Sequence, residues 1–207
     1  MTIIVGLTGG VASGKTTILN FLKKQNIPVH DSDAVVTSLY KNFSIELVCY
    51  LRLIGLAKAI KQKKIDKNVL RGEVLNNKSK LKKLEKFVHN KVKLSRNKFI
   101  KKNKLLRKKI ITLDIPLLFE NKLENICDYI FLAYSPLKLR VFRALRRKNM
   151  SKNTLNKIIK LQMPDKLKIT KSDFVINTAT DKTNSNKQAL EAIRVIKSIK
   201  YWNVWEK

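Results

Sequence analysis

Two cysteines in 207 residues, Cys49 and Cys127, stand far apart and form neither a C-x-x-C pair nor a zinc-ligand spacing. That excludes a disulfide framework and a cysteine-built metal site, and it fits reduced thiols. No apolar run approaches the roughly eighteen residues that a membrane-crossing helix needs. The N-terminus carries no basic stretch ahead of its apolar residues, so the chain reads as a cytoplasmic, soluble protein without a membrane partner. Acids are scarce too, 15 against 45 lysines and arginines, for a formal net charge of +30. A field of that sign attracts phosphate backbones. The lysines, however, are spread from Lys23 to Lys207 without a stripe, among many Asn and Ile residues, which reads as a compositional bias. No specific nucleic-acid partner is expected, only weak adhesion to RNA at low salt.

Glycine is equally sparse, and its placement is informative. Of six glycines, Gly6, Gly9, Gly10 and Gly14 all fall in the first fourteen residues. Gly9-Gly-Val-Ala-Ser-Gly-Lys-Thr-Thr17 follows the apolar run Thr2–Thr8 and satisfies G-x-x-x-x-G-K-[ST], the phosphate-binding loop. Backbone N–H groups along Gly10, Ala12, Ser13, Gly14, Lys15, Thr16 and Thr17 would cradle the phosphates of a nucleoside triphosphate. Lys15 would reach the β- and γ-oxygens, and the Thr16 hydroxyl would bind Mg²⁺. Ile18, Leu19, Phe21 and Leu22 then recur at helical spacing, and the start of that helix favours the same anion.

The length suits one α/β domain with a modest insertion and is too short for a helicase or a translocating ATPase with accessory domains. Five strands are expected at 2–8, 28–30, 110–113, 129–134 and 174–176. Alternation with helices predicts a parallel sheet with helices on both faces. In such sheets ligands bind at the carboxyl edge. The stretch from about Ala34 to Lys109 predicts several inserted helices, with Leu70, Val74 and Leu75, then Leu81, Leu84, Phe87, Val88 and Val92, at helical spacing. Lys98–Lys109 reads as a basic, mobile connection. A terminal helix is expected over Ser185–Tyr201, with Leu190, Ile193, Ile196 and Ile199 apolar.

Two acidic positions follow strands. Asp31-Ser-Asp33 offers one carboxylate as general base, Asp33, and a second, Asp31, to fix ligand or metal geometry. The competing use is a helix cap at Ser32 or Asp33, and the two uses are compatible. Asp114 matches the second Mg²⁺ position of phosphate-loop proteins, acting through water, or else serves as a turn residue. His89 is a lone helical histidine, a type more often packed or capped than catalytic. Arginine is scarce, yet Arg140, Arg143, Arg146 and Arg147 cluster, and on a helix Arg140, Arg143 and Arg147 share one face. Planar guanidinium forks suit phosphate oxygens.

Taken with Ile115-Pro-Leu-Leu-Phe-Glu-Asn121 and Gln162-Met-Pro164, these residues make the chain resemble the dephospho-coenzyme A kinases along nearly its whole length. It departs from their pattern at Lys67, Asn90, Lys148 and Asn177-Thr-Ala179. The resemblance implies transfer of the γ-phosphoryl of Mg·ATP to the ribose 3′-hydroxyl of dephospho-coenzyme A, the last step of coenzyme A synthesis. It implies that Asp33 deprotonates that hydroxyl and that Lys15 stabilises the transferring group. Arg143 and Arg147 would belong to a lid over ATP. Asp31, His89, Leu117, Leu118 and Phe119 would bind the acceptor. The expected organisation is a nucleotide-binding core over about 1–33 and 109–207, a helical acceptor subdomain over about 34–108 and a lid over about 138–165, in a monomer or weak homo-oligomer. Competing readings are another small-molecule kinase acting on a nucleoside or nucleotide, a basic nucleic-acid-binding protein, and a GTP-binding switch, whose N-K-x-D tetrapeptide is absent.

Overall fold

In the computed structural model, which describes residues 2–148 and 150–202, the chain begins with β1 (Ile3–Gly9), α1 (Lys15–Lys24) and β2 (Val29–Asp31). Next come α2 (Ser32–Lys41), α3 (Ile45–Leu53), β3 (Ile60–Lys61), β4 (Lys64–Ile65), α4 (Lys67–Leu75) and α5 (Lys78–Leu105). The chain continues through β5 (Ile110–Asp114), β6 (Tyr129–Tyr134), α6 (Leu137–Leu145), α7 (Lys152–Leu161) and α8 (Asp165–Thr170) to β7 (Phe174–Asn177) and α9 (Lys182–Trp202). It divides into two compact units, one of residues up to His30 with Asn103 onward, the other Asp31–Lys102.

The five expected strands form one parallel sheet in the order β2-β5-β1-β6-β7. β1 is its centre, paired with β5 from Ile3↔Ile110 to Leu7↔Asp114 and with β6 from Val5↔Tyr129 to Gly9↔Ala133. Buried on nearly every residue, β1 and β5 read as continuous apolar runs because neighbours cover them on both faces. The chain leaves β1 toward β2 on one side and reaches β6 on the other, so the carboxyl end of β1 lies at the point where the strand order reverses. α1 packs its Ile18, Leu19 and Leu22 into the core beside Ile3, Val5, Leu7 and Phe131.

α9 closes the same core through Ala189, Ala192, Ile193 and Ile196, while Ile199 is 40% exposed. Ile193 and Ile196 are buried as expected, while Ala189 and Ala192 take the places in the seam expected of Leu190 and Ile199. The basic stretch 98–109 is a second correction. α5 continues helical to Leu105, for lysine is a good helix former and no breaker interrupts it.

The other unit has its own apolar cluster. Leu47 and Leu51 of α3, Leu70 and Val74 of α4 and Leu84 of α5 pack with Leu56, Ala59 and Ile65. Helix starts here are capped by side chains: Ser44 accepts from the Leu47 N–H at 3.2 Å, and Asp66 accepts from Asn68 and Val69. The hairpin β3–β4 was not foreseen. Its turn residues Gln62 and Lys63 both have positive φ, at 43° and 58°, without the Asn-Gly chemistry that announces such turns.

Candidate active site

β1 ends at Gly9, and the chain curls into α1 through a loop with two left-handed residues, Ala12 at φ 56° and Gly14 at φ 85°. Gly14 is the N-cap of α1 and supplies no side-chain cap, so the first amides of the helix remain donors for an anion. A side chain at position 10 would displace Arg140, since a Cβ there would lie 2.8 Å from its Cζ. Ser13 N–H bonds to the Gly10 carbonyl at 3.0 Å, and the buried Ser13 hydroxyl has no partner. A loop with inward amides, an orphaned hydroxyl and a lysine at its end fits a polyphosphate.

Lys15 Nζ is ion-paired with the carboxylate of Asp114. Asp114 is only 2% exposed at the carboxyl end of β5, next to β1, so the sheet itself holds the acid beside the loop. Thr16 is exposed in the first turn of α1.

Side chains from distant segments brace this loop. Val11 N–H donates to Gln162 Oε1 at 3.0 Å. The Thr178 hydroxyl donates to the Tyr134 carbonyl at 2.9 Å and also bonds to the Ser13 carbonyl. Arg143 donates to the Thr178 carbonyl at 2.8 Å. Arg140, 5% exposed, is ion-paired with Asp165. Arg140 and Arg143, three apart within α6, share a face as expected, but Arg147 does not join them: α6 ends at Leu145, Arg146 caps it, and Arg147 lies exposed beyond it, where its N–H closes a tight turn on Ala144.

Below the loop after β5, Leu118 and Phe119 are buried at 0% and 3% exposure, and Leu117 is 38% exposed. Glu120 Oε1 accepts from Met163 N–H at 2.7 Å and lies 2.9 Å from Lys168 Nζ, whose side chain is fully buried. Burial pushes the Glu120 carboxyl up, but the hydrogen bonds from Lys168, Met163 and its own amide outweigh that and hold it below its ordinary value.

In the other unit, Asp31 caps α2 by accepting from Ala34 N–H at 2.9 Å, and Asp33 stands exposed in the first turn. The cap is thus neither Ser32 nor Asp33, which leaves the Asp33 carboxylate outside the capping bond. His89 is exposed on α5, not packed. Sequence reasoning missed Gln162, Asp165, Lys168 and Thr178, whose partners lie 25 to 165 residues away. Gln162-Met-Pro164 was visible only as a motif without a role.

The model of the family described as Dephospho-CoA kinase matches residues 3–184. The chain belongs to the dephospho-CoA kinase family. It is therefore a phosphotransferase, a kinase of coenzyme A biosynthesis. A dephospho-CoA kinase of Bartonella quintana is 35% identical over 92% of this chain and 96% of its own length. One of Fusobacterium nucleatum is 33% identical over 90% and 92%. Among solved structures, the dephospho-CoA kinase of Campylobacter jejuni superposes with a TM-score of 0.72 at 24% identity, over 97% of this chain and all of that one. A shikimate kinase of Acinetobacter baumannii shares the fold at a TM-score of 0.52 and 16% identity.

Proposed function

We propose that the loop from Gly9 to Thr17 binds the triphosphate of ATP and that the γ-phosphoryl passes to the ribose 3′-hydroxyl of dephospho-coenzyme A. The observation that carries this reading is the Lys15–Asp114 pair at the centre of the sheet's carboxyl edge. An ammonium beside a buried carboxylate has a partner to exchange for a phosphate oxygen when nucleotide arrives. Gly14, Lys15 and Thr16 would supply backbone donors, while Gly10, Ala12, Ser13 and Thr17 shape the loop, the Ser13 and Thr17 amides being bonded to the Gly10 and Gly14 carbonyls.

Thr16 and Asp114 have the oxygen donors for Mg²⁺, Asp114 through water. Among the described residues no cluster of three His, Cys, Asp or Glu could hold a metal, which suits a cation completed by phosphate oxygens and water. When bound, Mg²⁺ neutralises charge developing on the β- and γ-oxygens. Asp33 would accept the 3′-hydroxyl proton. The capping bond of Asp31 supports that assignment, since it leaves Asp33 as the carboxylate of this pair outside the cap. Asp31, His89, Leu117, Leu118 and Phe119 would serve the acceptor side, with Leu117 the exposed member of its trio. Arg143 would act near the nucleotide from its place on Thr178, and Arg147, exposed past α6, would be the lid arginine that closes over ATP. The core, acceptor and lid segments divide at about 33, 108 and 138–165. The protein would work in the cytoplasm as a monomer or weak homo-oligomer.

The decisive experiment is ADP release from Mg·ATP with dephospho-coenzyme A, run beside adenosine, nucleoside monophosphates and pantetheine compounds, with product mass. Selective turnover with dephospho-coenzyme A is expected. Turnover only with a nucleoside or nucleotide would overturn the acceptor assignment.

A further inference from the structure

Residues 162–168 form a strap that touches three separate parts of the nucleotide-binding unit. Gln162 Oε1 takes the Val11 N–H at 3.0 Å, Met163 N–H donates to Glu120 at 2.7 Å, Asp165 holds Arg140, and Lys168 lies 2.9 Å from Glu120. Two of these connections converge on one peptide unit of the phosphate loop. Arg140, held by Asp165, crowds Gly10, and Gln162 binds the amide of Val11.

The Gly10 carbonyl and the Val11 N–H belong to the same rigid peptide plane and point in opposite directions. Gln162 takes the N–H on one side of that plane. On the other side the Gly10 carbonyl accepts from Ser13 N–H at 3.0 Å, which closes the turn leading to Gly14 and Lys15. Flipping the plane would break both bonds at once.

We infer that Gln162 is a positioning residue for the nucleotide: it fixes the Gly10–Val11 peptide plane and thereby presets the loop amides that receive the phosphates. Gln162 is also the residue that ends α7, with extended backbone at φ −92° and ψ 144°. Any movement of α7 therefore reaches the phosphate loop through one side-chain amide. The inference rests on the proposal that nucleotide phosphate binds this loop.

The test compares Gln162→Leu, which removes the acceptor, with Gln162→Glu, which keeps it. Loss of one net hydrogen bond should raise the Kd for ADP and the KM for ATP by about three- to tenfold. The KM for dephospho-coenzyme A should stay within about twofold, a split that a general loss of structure would not produce. Amide exchange at Val11 and Ser13 should accelerate in the Leu variant and stay close to wild type in the Glu variant. Unchanged nucleotide constants in the Leu variant, or Val11 amide exchange as fast in the Glu variant as in the Leu variant, would overturn the inference. If the Leu variant does not fold, the wild-type protein still decides: a Val11 amide exchanging as fast as exposed amides without nucleotide refutes the tether, and a protected one sustains it. Lys15→Ala, run in parallel, separates the two readings. If it leaves ADP binding intact, the loop assignment fails; if it abolishes binding while Gln162→Leu does not weaken it, only the role of Gln162 fails.

Discussion

The two compact units differ most in what polar chemistry they bury. In Asp31–Lys102, Arg96 is the one buried polar or charged residue, and the interior is the apolar cluster around Leu47, Leu51, Leu70 and Leu84. The unit built on the sheet buries Thr8, Ser13, Thr112, Asp114, Ser135, Arg140, Lys168, Thr178 and Ser185 as well as its own apolar core. Burying such groups costs free energy unless each finds a partner. Most of them find one, in ion pairs such as Asp114 with Lys15 and Arg140 with Asp165 or in bonds to backbone carbonyls, as with Thr178 on Ser13 and Tyr134, while the Ser13 and Thr112 hydroxyls have none. Four of these groups, Ser13, Asp114, Arg140 and Thr178, lie in or against the phosphate loop. The helical unit, by contrast, keeps its charges other than Arg96 at helix caps and on its surface.

The sharpest way to break this comparison is to remove charge at the site. Lys15→Ala should impair both ATP binding and rate, and Asp33→Asn should cut turnover by about two to four orders of magnitude with ATP affinity largely kept. Steady-state kinetics checks both, and near-normal turnover of the Asn variant would remove Asp33 as base. Next in size is the buried ion pair. Lys168→Ala leaves Glu120 without its charged partner and should destabilise by about 3 kcal/mol in chemical denaturation. Its counterpart on the helical unit, Lys91→Ala opposite the largely exposed Glu46, should cost less than about 1 kcal/mol. Equal losses at the two pairs would erase the distinction drawn between the units.

A smaller effect belongs to the helical unit's caps. Ser44→Ala removes the acceptor for Leu47 N–H and should cost about 1 kcal/mol without altering either KM. The last concerns acid. Because the Glu120 carboxyl is held below its unfolded value, its contribution is fully present above about pH 4.3 and is lost as pH falls through the folded value. Stability should therefore drop on acidification below that point, and Glu120→Gln should flatten part of the slope, as read from denaturation midpoints across the acid range.

Features that depend on neighbours in sequence were legible beforehand. The phosphate loop is contiguous, and its glycines, lysine and threonine can be recognised without knowing where the rest of the chain goes. All five sheet strands were visible as apolar runs, though their ends shifted by a residue or so. What failed was what depends on distant partners or on weak local signals. The hairpin at 60–65 has two-residue strands and a Gln-Lys turn, too little for any periodicity. The arginine cluster looked like one helical face because nothing local marks the end of α6 at Leu145. The α9 seam was only half legible: Ile193 and Ile196 were expected, but Ala189 and Ala192 were not, because alanine carries little hydrophobic signal.

By itself the sequence determined that a phosphate-loop pattern stands at the end of its first strand, for those residues are contiguous. It also determined the alternation of strand and helix, since each element's apolar period is a local property. Only the tertiary structure decided which arginine is occupied and by what: Arg140 by Asp165, Arg143 by the Thr178 carbonyl, with Arg147 left exposed. It alone decided that Gln162 grips Val11 across 151 residues of chain. Hydrogen bonds form between groups close in space, and chain order constrains that closeness only through the fold.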